Sequence, residues 1–141
     1  MAQRNFTQNL YSLSKKRVVI DVEVTFGSSG SPTLATASAG EAPKNKGVAS
    51  ISRTSTGLFV LTLSDRYQRV AQFRGTFKAA SGIVAAPDIA LKTAANGTAP
   101  TGMVITFTTT APTGASNIQA VTDPASGETG YFEVVLEDST V

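Results

Sequence analysis

The chain contains no cysteine, no histidine and no tryptophan in 141 residues. Without cysteine there is no disulfide framework and no thiol nucleophile, which fits a reducing compartment or a particle assembled in one. Without histidine the usual general base near neutral pH and the commonest metal ligand are both missing. Without tryptophan the best aromatic platform for a bound sugar is gone, and only three tyrosines remain. Charge is sparse at 16% of residues. The start, Met1-Ala2-Gln3-Arg4-Asn5-Phe6, has no apolar leader, and no run approaches membrane-spanning length. These absences lead us to expect a soluble, non-enzymatic protein, made in the cytoplasm, with no cofactor, no metal and no membrane partner.

What is abundant is sheet-forming and turn-forming material. Serine and threonine make up about a quarter of the chain, threonine suiting a half-buried pleated surface and serine suiting turns. Thr-Gly followed by an apolar run occurs at Thr56-Gly57-Leu58-Phe59-Val60-Leu61, Thr101-Gly102-Met103-Val104-Ile105 and Thr129-Gly130-Tyr131-Phe132. Each reads as a turn glycine feeding a strand, and their unequal spacing argues against a solenoid. At this length one domain buries a core without disulfides or metal.

Residues 1–14 show no clean period but carry Phe6, Leu10, Tyr11 and Leu13, which reads as an arm packing onto its own domain or a neighbour. Residues 15–141 then form a single β domain. Val18 to Phe26 alternates most clearly, with Val18, Ile20, Val22, Val24 and Phe26 on one face and Val19, Asp21, Glu23 and Thr25 on the other. A turn-rich stretch and an exposed loop lead to Gly47. Val48 to Arg53 and Leu58 to Leu63 pair as a hairpin across Thr54-Ser55-Thr56-Gly57. Ser64-Asp65-Arg66-Tyr67 offers an N-capped helical turn. Further strands run from Val70 to Lys78, Ile89 to Thr93, Met103 to Thr110 and Tyr131 to Leu136, with a brief one from Ile118 to Val121. Asn96-Gly97 is the favoured pair for a two-residue hairpin turn. Short strands, abundant turn residues and no long helical period predict an all-β fold, an antiparallel β-sandwich or jelly-roll-like barrel with an extended N-terminal arm.

Charge is lopsided. Arg4, Lys15, Lys16 and Arg17 make the start basic, whereas beyond Lys92 every charged residue is acidic: Asp123, Glu128, Glu133, Glu137 and Asp138. Such a dipole steers docking onto an oppositely charged partner or pairs copies head to tail, unless it is plain solvated surface. The basic triplet has no interleaved aromatics and no surrounding motif, so nucleic acid is not an expected partner.

Candidate sites are few. Asp21 and Glu23 share a strand face about 6.8 Å apart by the strand rise, a separation at which carboxylate pairs hydrolyse glycosides. No aromatic platform accompanies them, and an alternating polar face accounts for both. Asp123-Pro124-Ala125-Ser126-Gly127-Glu128 offers oxygens to calcium, but an Asx-type turn explains the same residues. Asn5-Phe6-Thr7 and Asn96-Gly97-Thr98 match the glycosylation pattern without a leader to give it meaning. Arg66, Tyr67 and Arg69 mix aromatic and guanidinium groups in the manner of an interface, or of a capped turn with solvated arginines.

Three stretches carry a family likeness: Gly47-Val48-Ala49-Ser50-Ile51-Ser52-Arg53-Thr54 with Gly57 and Val60-Leu61-Thr62-Leu63-Ser64-Asp65-Arg66-Tyr67; Thr122-Asp123-Pro124-Ala125-Ser126-Gly127 with Glu133-Val134-Val135-Leu136; and Arg4-Asn5-Phe6 through Asn9-Leu10-Tyr11-Ser12-Leu13. Together they resemble the capsid decoration (cement) proteins of tailed bacteriophages. The resemblance implies a virion structural protein on the capsid surface, assembled in the host cytoplasm. It would bind the major capsid protein and itself as a homodimer or homotrimer, and would have no catalytic residues. Interface contacts would then fall on Phe6, Leu10, Tyr11, Leu13, Arg66, Tyr67 and Arg69. The alternative is a carbohydrate- or receptor-binding β-module of a phage tail or fibre. A hydrolase centred on Asp21 and Glu23 is the third class.

Overall fold

Alternation of apolar and polar residues along short segments dictates two sheets that hide one face each, and the computed structural model has that architecture. It describes residues 17–80, 87–113 and 118–137. The expected arm, with Phe6, Leu10, Tyr11 and Leu13, lies outside the described residues.

The strands are β1 (Arg17–Phe26), β2 (Pro32–Leu34), β3 (Val48–Ser55), β4 (Leu58–Leu63), β5 (Arg69–Lys78), β6 (Asp88–Asn96), β7 (Met103–Thr113), β8 (Ile118–Val121) and β9 (Thr129–Glu137). One sheet has the order β2-β1-β9-β5, and the other β3-β4-β7-β6, with β8 also paired to β7. Every pairing is antiparallel. The fold is therefore the expected β-sandwich, with β2 and β8 extending the principal strands.

The inner faces obey the period of two. Ile20, Val22, Val24 and Phe26 of β1 and Phe132, Val134 and Leu136 of β9 meet Phe59, Leu61 and Leu63 of β4 and Met103, Ile105 and Phe107 of β7, all buried. Six phenylalanines close a ring of contacts through this core: Phe26, Phe59, Phe107, Phe73, Phe132 and Phe77, with centroids 5.1 to 5.9 Å apart. Phe107 also spans the ring to Phe132 at 5.2 Å. Each such ring buries a large apolar surface and adds about 0.5–1.5 kcal/mol per well-oriented pair.

Three local expectations change. Residues 64–67 form no helical turn, because their backbone groups are claimed by β6, β7 and the residue before β3, and the next residue, Gln68, already joins the other sheet. Ser64 N–H donates to Gly47, the Asp65 carbonyl accepts from Met103, and Gln68 N–H donates to Glu137. Asn96-Gly97 is not a two-residue turn. The β6–β7 connection runs from Gly97 to Gly102, Gly97 N–H donating to the Gly102 carbonyl at 3.0 Å, and it includes a cis Ala99–Pro100 peptide. Asn96 instead turns its side chain onto the backbone of Tyr67.

The Thr-Gly repeats also serve three separate purposes. Gly57 is a turn glycine at φ +60° between β3 and β4, and a Cβ there meets Val121 at 2.5 Å and the Thr109 carbonyl at 2.8 Å. Gly102 allows β7 to start against the end of β4, where a Cβ lies 2.1 Å from the Leu63 carbonyl. Gly130 lies inside β9 and makes room for the rings of Phe132 and Phe26.

Candidate interaction surface

With the inner faces spent on the core, chemistry falls to the outer faces and loops. The outer face of the four-stranded sheet is the most differentiated. Register places three rows across it: Val19–Val135–Gln72, Asp21–Glu133–Arg74 and Glu23–Tyr131–Thr76, each running from β1 through β9 to β5. The middle and lower rows, with Val19 and the loop over 43–47, line an open depression of about 770 Å³. Val19 is 55% exposed and Tyr131 42% exposed, so two large apolar side chains stand in water here.

Charge on this face is nearly but not fully balanced. Glu133 pairs with Arg74 at 2.6 Å, and Glu23 pairs with Lys44 at 3.1 Å. The hydrogen bond from Lys44 to Glu23 is the main cause raising the ammonium above its ordinary pKa, against some desolvation. Lys44 also reaches Glu41 at 3.7 Å. A backbone bond from Ser38, then the Lys44 charge, holds the Glu41 carboxyl below its usual value. Asp21 is different. It stands directly across from Glu133 and has neither ion pair nor hydrogen-bonded partner among the described residues. Like charges opposite one another on neighbouring strands are destabilising unless a cation intervenes.

Beside this face the edge of β1 is only partly covered. β2 pairs with it from Val24 to Phe26 alone. At Glu23 a side chain replaces the missing strand: Glu23 N–H donates to Asn45 Oδ1 at 2.6 Å, while Asn45 Nδ2 donates to the Glu23 and Ala35 carbonyls at 3.1 and 2.8 Å. Asn45 sits at φ +56°, a region that asparagine tolerates better than most residues. An amide side chain thus does what a peptide group of β2 does two residues further on.

The sequence-predicted sites separate in this frame. Tyr67 is 9% exposed and belongs to the core, with Asn96 bracketing its N–H and C=O at 3.1 and 2.7 Å. Arg66 is exposed, and Arg69 opens β5, where it holds Glu137 by two hydrogen bonds. That contact keeps the Glu137 carboxyl below its ordinary pKa. The three residues therefore form no exposed aromatic–guanidinium tip. The polar character around Tyr67 misleads because the ring turns inward at the crossing between sheets.

Asp21 and Glu23 do share a face, but Glu23 is tied to Lys44 and Asp21 is exposed, so neither carboxyl sits in the dry setting of an acid catalyst. In the 123–128 loop both carboxylates are engaged within the fold. Asp123 accepts two bonds from Arg53 and one from Gly57 N–H at 2.7 Å, and buried Glu128 accepts from Ala125 N–H at 2.8 Å. The expected Asx-type turn is not what holds this loop: Asp123 is engaged across the fold, and the turn closes through Glu128, whose N–H donates to the Ala125 carbonyl at 3.1 Å. Among the described residues no group of three or more acidic side chains is placed to hold a metal, and no helix is long and apolar enough to cross a membrane.

No protein-family model matches this chain, and no curated protein and no solved structure is significantly similar to it.

Proposed function

We propose that this protein decorates the outside of an icosahedral bacteriophage capsid and stabilises it by bridging neighbouring major capsid subunits. The observation that supports this reading best is the meeting of two stretches that carry the family likeness. The β3–β4 hairpin and the 122–127 loop, far apart in the chain, join through Asp123, which binds Arg53 and the Gly57 N–H together. Asp123 holds them side by side at one end of the sandwich. A protein of this kind acts by binding an assembled lattice and not its separated parts, so it stabilises the shell by mass action, and many modest contacts add through multivalency.

The deciding experiment compares heat-stressed phage shells with and without the purified protein by negative-stain microscopy. Retention of intact shells only when the protein is bound supports the role. Absence of the protein from washed shells eliminates it. Chains lacking residues 1–14 are expected to fold yet fail to load, and undiminished loading refutes a role for the arm.

One observation favours a second reading, a carbohydrate-binding module of a tail or fibre. Tyr131 is exposed in a depression that also presents Asp21, Glu133 and Arg74, an aromatic platform ringed by hydrogen-bonding groups. Glycan-array binding that disappears in Tyr131→Ala favours this reading over the capsid role.

A further inference from the structure

The depression and the open edge of β1 adjoin, and together they define what can occupy them. Backbone groups of a strand alternate in direction. Glu23 offers its N–H and C=O to the β2 side, so Asp21 and Val19 point theirs the same way. On that side neither has a strand neighbour among the described residues. An exposed edge of this kind is a template for a further strand. Its surroundings specify the strand's chemistry: apolar side chains to cover Val19 and Tyr131, and a cation to answer Asp21.

The sixteen residues preceding β1 have that composition. They contain Phe6, Leu10, Tyr11 and Leu13, together with Arg4, Lys15 and Lys16, and no acidic residue. Fully extended they reach up to about 55 Å, far more than the edge from Arg17 to Glu23 requires. To pair with its own β1 the segment must reverse direction before Arg17, either tightly or by spending part of its length on a loop. It has neither glycine nor proline, the residues that tight two-residue turns favour.

We propose that residues 1–16 of a second copy of this chain add as a strand to the open edge of β1 between Val19 and Asp21, apolar side chains over the depression and a basic side chain against Asp21. This rests on the homo-oligomer that the family resemblance implies for the proposed function, but it does not depend on a capsid.

The absence of native cysteine makes introduced thiols unambiguous. Full-length chains carrying Phe6→Cys, Leu10→Cys or Leu13→Cys are mixed under oxidising conditions with size-tagged Val19→Cys chains. Exposed Ser52→Cys on β3 of the other sheet serves as the control. At least one arm position is expected to cross-link to Val19→Cys about fivefold more than to the control, as a locally raised effective concentration demands. Yields no higher than the control at all three positions overturn the proposal. So does a double variant, such as Leu10→Cys with Val19→Cys, that closes mainly within one chain. Asp21→Lys is expected to lower the intermolecular yield severalfold, and Lys15→Glu with Lys16→Glu to restore it; indifference to both overturns the placement at Asp21. Cross-linking that persists in copies unable to load onto shells rejects the capsid role and leaves this inference standing.

Discussion

Arg53 and Asp123, seventy residues apart in the chain, are joined by two parallel hydrogen bonds, Nε to Oδ1 at 2.9 Å and Nη2 to Oδ2 at 2.8 Å. The same carboxylate accepts from Gly57 N–H and packs against Gly30, where an added Cβ meets Asp123 at 2.6 Å. One side chain thereby ties the β3–β4 turn, the β1–β2 turn and the β8–β9 loop together.

This tie makes stability acid-sensitive in a defined direction. The hydrogen bond from Arg53 is the main cause holding the Asp123 carboxyl below its ordinary value, and desolvation opposes it. A carboxyl depressed in the folded state contributes stability that is fully present above the unfolded value near 3.9 and is lost as pH falls through the folded value. Urea midpoints measured from about pH 6 down to pH 2 are expected to fall at the acid end. Asp123→Asn should start lower at neutral pH, by about 1–3 kcal/mol, and show a flatter acid limb. An acid limb as steep as that of the parent protein removes Asp123 from this role.

The phenylalanine ring sets a second expectation. Phe132 touches Phe73, Phe77 and Phe107. Phe132→Ala should cost about 3–5 kcal/mol in chemical denaturation, as large core truncations do. Tyr67→Ala should also destabilise, whereas Arg66→Ala at an exposed site should stay within about 0.5 kcal/mol. Equal effects at 66 and 67 contradict the inward placement of the tyrosine.

Two glycines of similar backbone geometry separate strain from collision. Gly40 has φ +88° and nothing within 4 Å of its missing Cβ, while Gly57 has φ +60° and a Cβ there meets Val121, Thr109 and Thr122 at 2.5 to 2.8 Å. Gly40→Ala should lose only the left-handed penalty of about 1–2 kcal/mol. Gly57→Ala should lose clearly more, read as a larger drop in thermal midpoint.

Asn45→Ala removes three hydrogen bonds at once and takes the partner from the Glu23 N–H and the Ala35 carbonyl, while the Glu23 carbonyl keeps the Ala35 N–H at 2.9 Å. Hydrogen exchange at the Glu23 amide is expected to speed up by at least about tenfold, which corresponds to about 1.4 kcal/mol. Unchanged protection there shows that another group holds that amide.

The strands were legible where pattern and packing coincide. Val18 to Phe26 alternates because β1 has one buried face, and the same holds for Leu58 to Leu63. Asp21 and Glu23 stand out from their own spacing, but their cross-sheet partners do not. That Asp21 faces Glu133 depends on the pairing of the first strand with the last, a register that no local signal carries. Asn45 was invisible for a related reason: an amide acting as a length of strand looks like any loop asparagine until its tertiary partners are known. Residues 64–67 misled through local propensity, since a good N-cap cannot prevail when β6 and β7 take the Tyr67 and Asp65 carbonyls that a helical turn would use.

The Asn45 amide has one more effect. Because it occupies both polar backbone groups of Glu23, the sheet margin has a built-in terminus. Any chain zippering along β1 from Arg17 must halt there, so it has few residues over which to slide and one alignment is selected above its neighbours. A single asparagine thereby acts as the ruler that decides how far such an accretion can run.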